Sequence, residues 1–578
     1  KEKGIYTQLM SVDKKYRKLD DIEHILARSG MYVGSIKLNK TEKYLIDESR
    51  FKLFEVTYNP AFIKIFDEII INSVDESKKN PKLNQIKVTI KDNTISVWDN
   101  GGIPVVKHNE YKEWIPEMIF SNLKAGSSFN DEEERTTAGL NGVGSVLTNV
   151  FSEEFTVSTC DGKNHFYQRF YSNMRKRDKP VIKAAKKNHT EITYTPELSR
   201  FNMETLDEIH LGIIKKRVID IAGANQNVKI WFNGELINVK SFEDYIKMYA
   251  DEPIYESDKK WQIGIAPSDS GFKQVSFVNS CETYDGGTHV DYILNQIIAK
   301  LREFFLKKHK VDVKPSELKS HIFLFINTTI INPSFSSQTK EKLITEFKDF
   351  GSSYEVTDKF IKRILSSEIV NLILDWIQQK KAADESKLAR DLNKSLSKLK
   401  VDKLVDAKGK ERWKCSLCMF EGDSAANATR KFRNAEFIGS FALRGKFINV
   451  SELTHAKLVQ NEEGVNLMAS IGLKLGERAE KLKLRYGKVI IYTDQDMDGY
   501  AITGLLLNFF NKYWPELFEF GVIYKAETPI VVCTNMKNKK NVIKFYKQED
   551  YDEWLLKANH KDWDISYKKG LSALTPDE

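Results

Sequence analysis

The sequence predicts an α/β protein of several domains, and three observations carry that expectation. At 578 residues the chain is far longer than one hydrophobic core organises, which implies about three or four domains. Strand-like runs such as Ile86 to Ile90 and Ile95 to Trp98 alternate with segments of helical period such as Ala61 to Ser77. Glycine-rich turns follow predicted strands in both halves, where an α/β fold places its phosphate and metal sites. Hydrophobic residues at 41% and charged residues at 29% match a globular protein rather than a disordered or fibrous one.

The chain begins at Lys1 without a methionine, so residues are expected to be missing at both ends. No apolar run approaches the ~20 residues needed to span a bilayer and no N-terminal hydrophobic signal appears, so an intracellular protein with no membrane partner is expected. Five scattered cysteines are no disulfide framework. Cys415 and Cys418 have a zinc-like spacing, but no second Cys or His pair completes four ligands, and they are expected to be core thiols. The net charge of +8 permits nucleic-acid binding without requiring it.

An arm, 1–20, precedes a first region, 21–250. Within it Asn173 to Asn188 is basic and turn-rich and reads as an exposed, hairpin-like loop rather than a DNA contact. Strands resume near Pro253, then a helix from His289 to Lys308 and a strand from Ile322 to Asn327, giving a second region, 251–390. From Asp358, apolar residues at helical spacing grade into the lysine-rich stretch Gln378 to Lys410, so a long helix runs into a linker, 391–412. Buried strands return at Cys415 to Phe420 and Val489 to Thr493 in a separate α/β region, 413–535, followed by 536–578.

In the first region, Glu68 and Asn72 are four apart, so a helix started by Pro60 presents a carboxylate and an amide on one face. A carboxylate deprotonates water and an amide oxygen ligates Mg²⁺, the two roles that phosphoanhydride hydrolysis needs. Asp99-Asn-Gly-Gly-Ile-Pro104 ends a strand, and Gly139-Leu-Asn-Gly-Val-Gly144 opens a helix whose N–H groups and dipole suit a phosphate. These elements in this order resemble the GHKL ATPases, an α/β sandwich. The resemblance makes Glu68 the general base, Asn72 the Mg²⁺ ligand, Asp99 the adenine-binding carboxylate and Thr190 its support. It places Ser127, Ser128, Gly139, Leu140, Asn141, Gly142, Val143 and Gly144 around ribose and phosphates. The sequence departs from the family in the shortened glycine turn at Gly101 and in Val146, where eukaryotic relatives carry lysine. Gln338-Thr339-Lys340 resembles the triplet that reaches the γ-phosphate in type II topoisomerases, where a lysine offsets developing charge. Phe277-Val-Asn279 and Gly286-Gly-Thr-His-Val290 resemble the transducer domain of the type IIA enzymes, with its ribosomal-protein-like β-α fold, although Ser280 replaces the usual glycine.

In the second half, Glu421-Gly-Asp-Ser-Ala425 and Asp494-Gln-Asp-Met-Asp498-Gly each follow a strand, so their carboxylates converge on one sheet edge and suit Mg²⁺. With Leu443-Arg-Gly-Lys-Phe-Ile-Asn-Val450 between them, they resemble the Rossmann-like toprim domain of the same enzymes. That resemblance implies Mg²⁺ on Glu421, Asp494 and Asp496, a second-ion role for Asp498, and DNA backbone contacts from Arg444 and Lys446; Met497 stands for the usual histidine. It further implies ATP and Mg²⁺ as cofactors, double-stranded DNA as substrate and a homodimer. No tyrosine has the context of the family's nucleophile, and Lys569 to Glu578 resembles the motif that closes toprim before a winged-helix domain. The nucleophile is therefore expected on residues outside this sequence or on a separate subunit. The wording of segments such as SQTKEKL resembles viral and T-even-like phage large subunits as well as eukaryotic enzymes, and a viral source acting in host cytoplasm or nucleus is the favoured expectation. An ATP-driven clamp without cleavage and a toprim nuclease are the competing readings.

Overall fold

The computed structural model describes residues 18–126, 134–137, 139, 142–451, 453–557 and 560–568. The chain divides into two compact units, Lys1–Leu374 and Asp375–Glu578.

The first unit is built on the helix Pro60–Lys79. Asn59 caps it by accepting the Phe62 N–H at 3.0 Å, and Pro60 occupies the first turn, where no N–H is needed. Its apolar positions Phe62, Ile65, Phe66, Ile69 and Ile70 are buried against a nine-stranded sheet. In that sheet Gln85–Lys91 pairs with Thr94–Asp99, which pairs with His189–Pro196, then Ser152–Cys160 and Asn164–Tyr171, all antiparallel. The register sets Asp99 opposite Thr190 in the middle of the sheet. The basic stretch after Asn173 differs from the expected hairpin. Lys176–Arg177 and Val181–Ala184 do not pair with each other; both pair with Asn164–Tyr171, whose N–H and C=O groups would otherwise be open on that side.

A five-stranded sheet follows in the same unit. Ile322–Thr328 lies antiparallel to Trp261–Pro267 and parallel to Lys273–Val278. A parallel pair needs a crossover, which the helix Thr288–Phe304 supplies. The long helix expected from Asp358 is interrupted at Ser366–Ser367, giving Asp358–Leu365 and Glu368–Leu396. The end of the first unit, Leu374, falls within the second of these helices. Ala389, Leu392 and Leu396 enter the core of the second unit, which holds the supposed linker in helix as far as Leu396.

The second unit has four parallel strands, Ile438–Ala442, Ser416–Phe420, Lys488–Tyr492 and Ile523–Lys525, with Leu404–Val405 antiparallel at one edge. A separate antiparallel sheet, Val531–Asn535, Val542–Phe545 and Trp563–Tyr567, packs on the helix Gln548–Lys557 through Tyr551 and Trp554. Val531–Asn535 thus belongs with the residues after 536, which the sequence had divided from it.

Trp514 anchors the second unit. It is fully buried, and its indole N–H donates to the Lys474 carbonyl at 3.0 Å. Trp514→Ala is expected to remove about 3–5 kcal/mol from this unit alone. Calorimetry should show one of two transitions moving down while the other stays; a joint shift would mean that the units do not unfold separately.

Candidate active sites

The helix Pro60–Lys79 forms one wall of a 460 Å³ cavity, within the range of cofactor sites. Glu68, Asn72, Asp99, Gly139, Gly142, Val143, Gly144, Thr190, Gln338 and Lys340 all line it. Thr339 does not: its hydroxyl shares a hydrogen bond with Ser337 at 2.6 Å. Ser127, Ser128, Leu140 and Asn141 lie outside the described residues.

Glu68 is buried at 6% exposure, a position a charged carboxylate tolerates only with a partner. That partner is Lys64, one turn earlier, whose Nζ lies 2.7 Å from Glu68 Oε1 and which is itself buried. Burial pushes the Glu68 carboxyl up, but the ammonium groups of Lys64 and Lys340 outweigh it and hold the group below the usual carboxylate range. The pair continues into the second sheet of the unit. Lys64 also faces Asp67 at 3.9 Å, Asp67 accepts from Arg217 Nε at 2.5 Å, and Arg217 Nη2 donates to the Ser280 carbonyl at 3.0 Å. Ser280 has φ 72°, which explains why a glycine suits this turn. Gly144 closes over Glu68: a Cβ there would lie 1.9 Å from Glu68 Oε2.

Asp99, at the end of the strand Thr94–Asp99, also lines the cavity. Ser73 Oγ donates to its Oδ2 at 2.7 Å and the Gly101 N–H to its Oδ1 at 2.9 Å. Burial drives its carboxyl above the usual range against these two bonds. Gly102 of the short turn passes so close to the Cys160 carbonyl that a Cβ would come within 2.2 Å of it, which requires glycine at this position. Thr190, expected to support Asp99, is its register partner and bonds through its hydroxyl with Thr159 Oγ1 at 2.9 Å, while Ser73, which the sequence did not single out, donates to Asp99 directly. Asp75, also unforeseen, holds the glycine loop by accepting the Gly139 N–H at 2.8 Å.

Lys340 reaches the cavity because its loop is tied to the start of Thr288–Phe304. The Asp285 N–H donates to the Glu341 carbonyl at 2.9 Å and the Leu343 N–H to the Gly286 carbonyl at 3.1 Å, while Thr288 Oγ1 donates to the Thr345 carbonyl at 2.6 Å. The Gly286-Gly287 segment therefore positions the lysine rather than touching the cavity. His289 is buried, and burial lowers its pKa to about 3, so it is a neutral core residue.

In the second unit, parallel pairing sets Phe420 beside Tyr492, so Glu421 and Asp494 leave adjacent strand ends. Glu421 Oε2 accepts the Asp494 N–H at 2.9 Å. Asp496 caps the helix Met497–Tyr513 by accepting the Gly499 N–H at 2.8 Å. Asp498 pairs with Lys446 at 2.8 Å, both exposed. Burial and the charges of Asp494, Asp496 and Asp498 push the Glu421 carboxyl up, which marks concentrated negative potential. Hard oxygen donors under such a potential suit Mg²⁺. Among the described residues, however, no three acidic, His or Cys side chains are gathered closely enough to hold a metal. Glu421, Asp496 and Asp498 each have a protein partner instead: a backbone N–H, a helix start and Lys446. Arg444 is exposed, its backbone N–H donating to Glu463 Oε1 at 3.2 Å. Cys415 and Cys418 are buried thiols.

The DNA gyrase B family profile matches residues 229–392 and the Toprim domain profile residues 416–527. DNA topoisomerase 2-beta of Gallus gallus is 39% identical over 98% of this chain, covering 37% of that protein. Human DNA topoisomerase 2-alpha is 38% identical, with 39% of its length covered. The ATPase region of Saccharomyces cerevisiae topoisomerase II superposes with a TM-score of 0.60 at 36% identity, covering 63% of this chain and 99% of that one. The ATPase and transducer domains from Balamuthia mandrillaris give 0.62 at 37%, covering 64% and 99%. The chain thus spans less than two fifths of these animal proteins, and none of the four speaks for the viral source read from the sequence.

Two expectations follow from the cavity. Gly144→Ala should sharply lower nucleotide hydrolysis in a folded protein, measured by phosphate release, because its Cβ and the Glu68 carboxylate cannot share one space and the carboxylate must move; unchanged turnover would contradict the geometry. Lys64→Met should remove the nearest positive charge from Glu68 and raise its pKa. The acid-side fall of nucleotide hydrolysis should then move to higher pH, and leaving a buried carboxylate unpaired should cost about 3–5 kcal/mol. An unmoved pH profile would mean that Lys64 does not set the charge state of Glu68.

Proposed function

The chain belongs to the type IIA DNA topoisomerases, and from that premise we propose that it is the ATPase, transducer and toprim portion of an enzyme that passes one DNA duplex through a transient break in another. The observation that carries the proposal is the convergence of Glu68, Asn72, Asp99 and Lys340 on one cavity in a chain that also brings Glu421 and Asp494 to adjacent strand ends.

In this reading ATP occupies the cavity with adenine against Asp99, whose carboxylate Ser73 and Gly101 hold in place to accept from the base. Asn72 holds Mg²⁺ and the loop from Gly139 to Gly144 surrounds the phosphates, with Ser127, Ser128, Leu140 and Asn141 assigned there from the resemblance. Glu68, kept ionised by Lys64 and Lys340, takes a proton from the attacking water. Lys340 offsets charge developing on the γ-phosphate, and its loop reports that event to the transducer sheet. Gln338 and Thr339 carry the lysine on that loop.

At the toprim edge, Glu421, Asp494 and Asp496 are the assigned Mg²⁺ ligands, with Asp498 assisting a second ion. When bound, the metal supplies electrophilic stabilisation of the scissile phosphate. The chain's own part is to hold the carboxylates on rigid strand ends and to present Arg444 and Lys446 to the DNA backbone. A phosphate that takes Lys446 away from Asp498 frees a metal ligand, so DNA and metal binding favour each other. The nucleophilic tyrosine comes from outside these 578 residues, on the same polypeptide or on a separate subunit. Two copies act together because each DNA strand needs its own site. The ATPase domain is assigned to 21–250, the transducer to residues from 251 and toprim to residues from 413. An intracellular setting agrees with five buried free thiols.

Glu68→Ala should lower ATP turnover by at least a hundredfold while leaving ATP binding intact. Glu421→Ala and Asp496→Ala should leave ATP turnover unchanged and eliminate DNA cleavage once the chain is joined to a tyrosine-bearing domain. Cleavage that survives in both carboxylate variants would favour an ATP-driven clamp with structural carboxylates.

A further inference from the structure

The basic stretch 173–188 belongs to neither site. It carries Arg175, Lys176, Arg177, Lys179, Lys183, Lys186 and Lys187 against Asp178 alone, a net +6 in a chain whose whole net charge is +8. The structure makes it an ordered sheet edge rather than the loop that its sequence suggests. Phe170 pairs with Arg177 and Tyr171 with Lys176; His165 pairs with Lys183 and Tyr167 with Val181. The entry to this edge is fixed by three successive left-handed residues, Ser172, Asn173 and Met174, with φ of 55°, 59° and 61°. Asn173 Nδ2 locks them by donating to the Val150 carbonyl at 3.0 Å and to Glu197 Oε2 at 2.8 Å.

All seven cations are exposed. Among the described residues only Arg177 faces a carboxylate, Glu117 at 3.5 Å, and no carboxylate answers the other six. Alternate residues of a strand share a face. On Asn164–Tyr171 the odd-numbered positions His165, Tyr167, Arg169 and Tyr171 stand opposite the buried Phe166, Gln168 and Phe170. The partly exposed pair Tyr167 and Val181, at 41% and 45%, therefore lies beside Lys183 on the outer face.

A sheet edge needs only a lysine or two, or a proline such as Pro180, to resist pairing with another chain. Six unanswered cations repel one another, and that repulsion gives the fold nothing. It is relieved by a polyanion, and duplex DNA offers a charge for every ~1.7 Å of its length together with counterions to release. We propose that the edge 175–187 is a contact surface for the sugar-phosphate backbone of duplex DNA, formed by different residues from the metal cluster and the nucleotide cavity. Lysines on phosphates fix position without reading bases, so the contact is indifferent to sequence. The proposal rests on the DNA-acting function given above.

The test uses the full chain and a variant combining Lys179→Gln, Lys183→Gln, Lys186→Gln and Lys187→Gln, with a labelled 30-base-pair duplex titrated across a salt series by fluorescence anisotropy. The variant should bind at least about tenfold more weakly at low salt, with a slope of log affinity against log salt shallower by up to about 3.6, given a slope of roughly 0.9 for each of four phosphate contacts. Its ATP turnover without DNA should equal that of the unmodified chain, and the four Lys→Arg substitutions should restore binding. Unchanged affinity and slope in the glutamine variant overturn the proposal, as does a variant that self-associates while its DNA affinity stays intact, since the lysines would then be guarding the edge. An unmodified chain that binds no duplex at all overturns the DNA-acting function together with this proposal.

Discussion

On the proposed reading, the first unit depends on burying a charged carboxylate in the cavity where a nucleotide is to be hydrolysed. Glu68 has to lie inside the cavity to reach a bound phosphate, and a buried carboxylate without compensation would take up a proton and lose its basicity. The helix Pro60–Lys79 meets that constraint within itself by placing Lys64 one turn away at 2.7 Å. Other features follow from the same requirement. Gly144 must lack a side chain to close the cavity over the carboxylate, and Lys340 arrives from a distant loop as a second positive charge.

The compensating charges also tie the cavity to the rest of the unit. Asp67, next to the base, is held by Arg217, which donates in turn to the Ser280 carbonyl at the turn of the second sheet. The Lys340 loop makes a second connection, anchored to the start of the helix Thr288–Phe304. On the proposed reading, a change at the γ-phosphate position therefore acts on two polar connections, one ending at the Ser280 turn of the five-stranded sheet and the other at the start of the helix Thr288–Phe304. Buried polar groups do not slide gradually, since an unpaired intermediate is costly, so such connections suit a switch between discrete arrangements.

Much of this was legible from sequence. The helix and strand periods located Pro60–Lys79, Thr94–Asp99, Ile322–Thr328 and Lys488–Tyr492 to within a residue or two, because their apolar positions face cores that dictate the period. Glu68, Asn72, Asp99 and Lys340 were found by motif and share one cavity. The residues missed are those that serve the motif residues. Lys64 was findable, since it lies four before Glu68 and their pairing is local. Ser73 as the partner of Asp99, Asp75 as the anchor of Gly139 and Arg217 as the partner of Asp67 depend on tertiary approach, which sequence spacing does not encode. Thr190, named as the support of Asp99, lies opposite it in the register and lines the same cavity. The helix Glu368–Leu396 shows a similar limit: its lysine-rich half reads as a linker, yet Ala389, Leu392 and Leu396 recur at helical spacing and find a core.

The proposed metal edge is the counterpart of the cavity, with carboxylates at strand ends occupied by a backbone N–H, a helix start and a lysine. The cavity is preformed and this edge is not, so nucleotide binding is the more direct test. A crystal structure of the chain with Mg²⁺ and a non-hydrolysable ATP analogue should place adenine on Asp99 and the γ-phosphate between Glu68 and Lys340, with the metal on Asn72. Analogue density outside the cavity, or a γ-phosphate that neither Glu68 nor Lys340 approaches, would contradict the account.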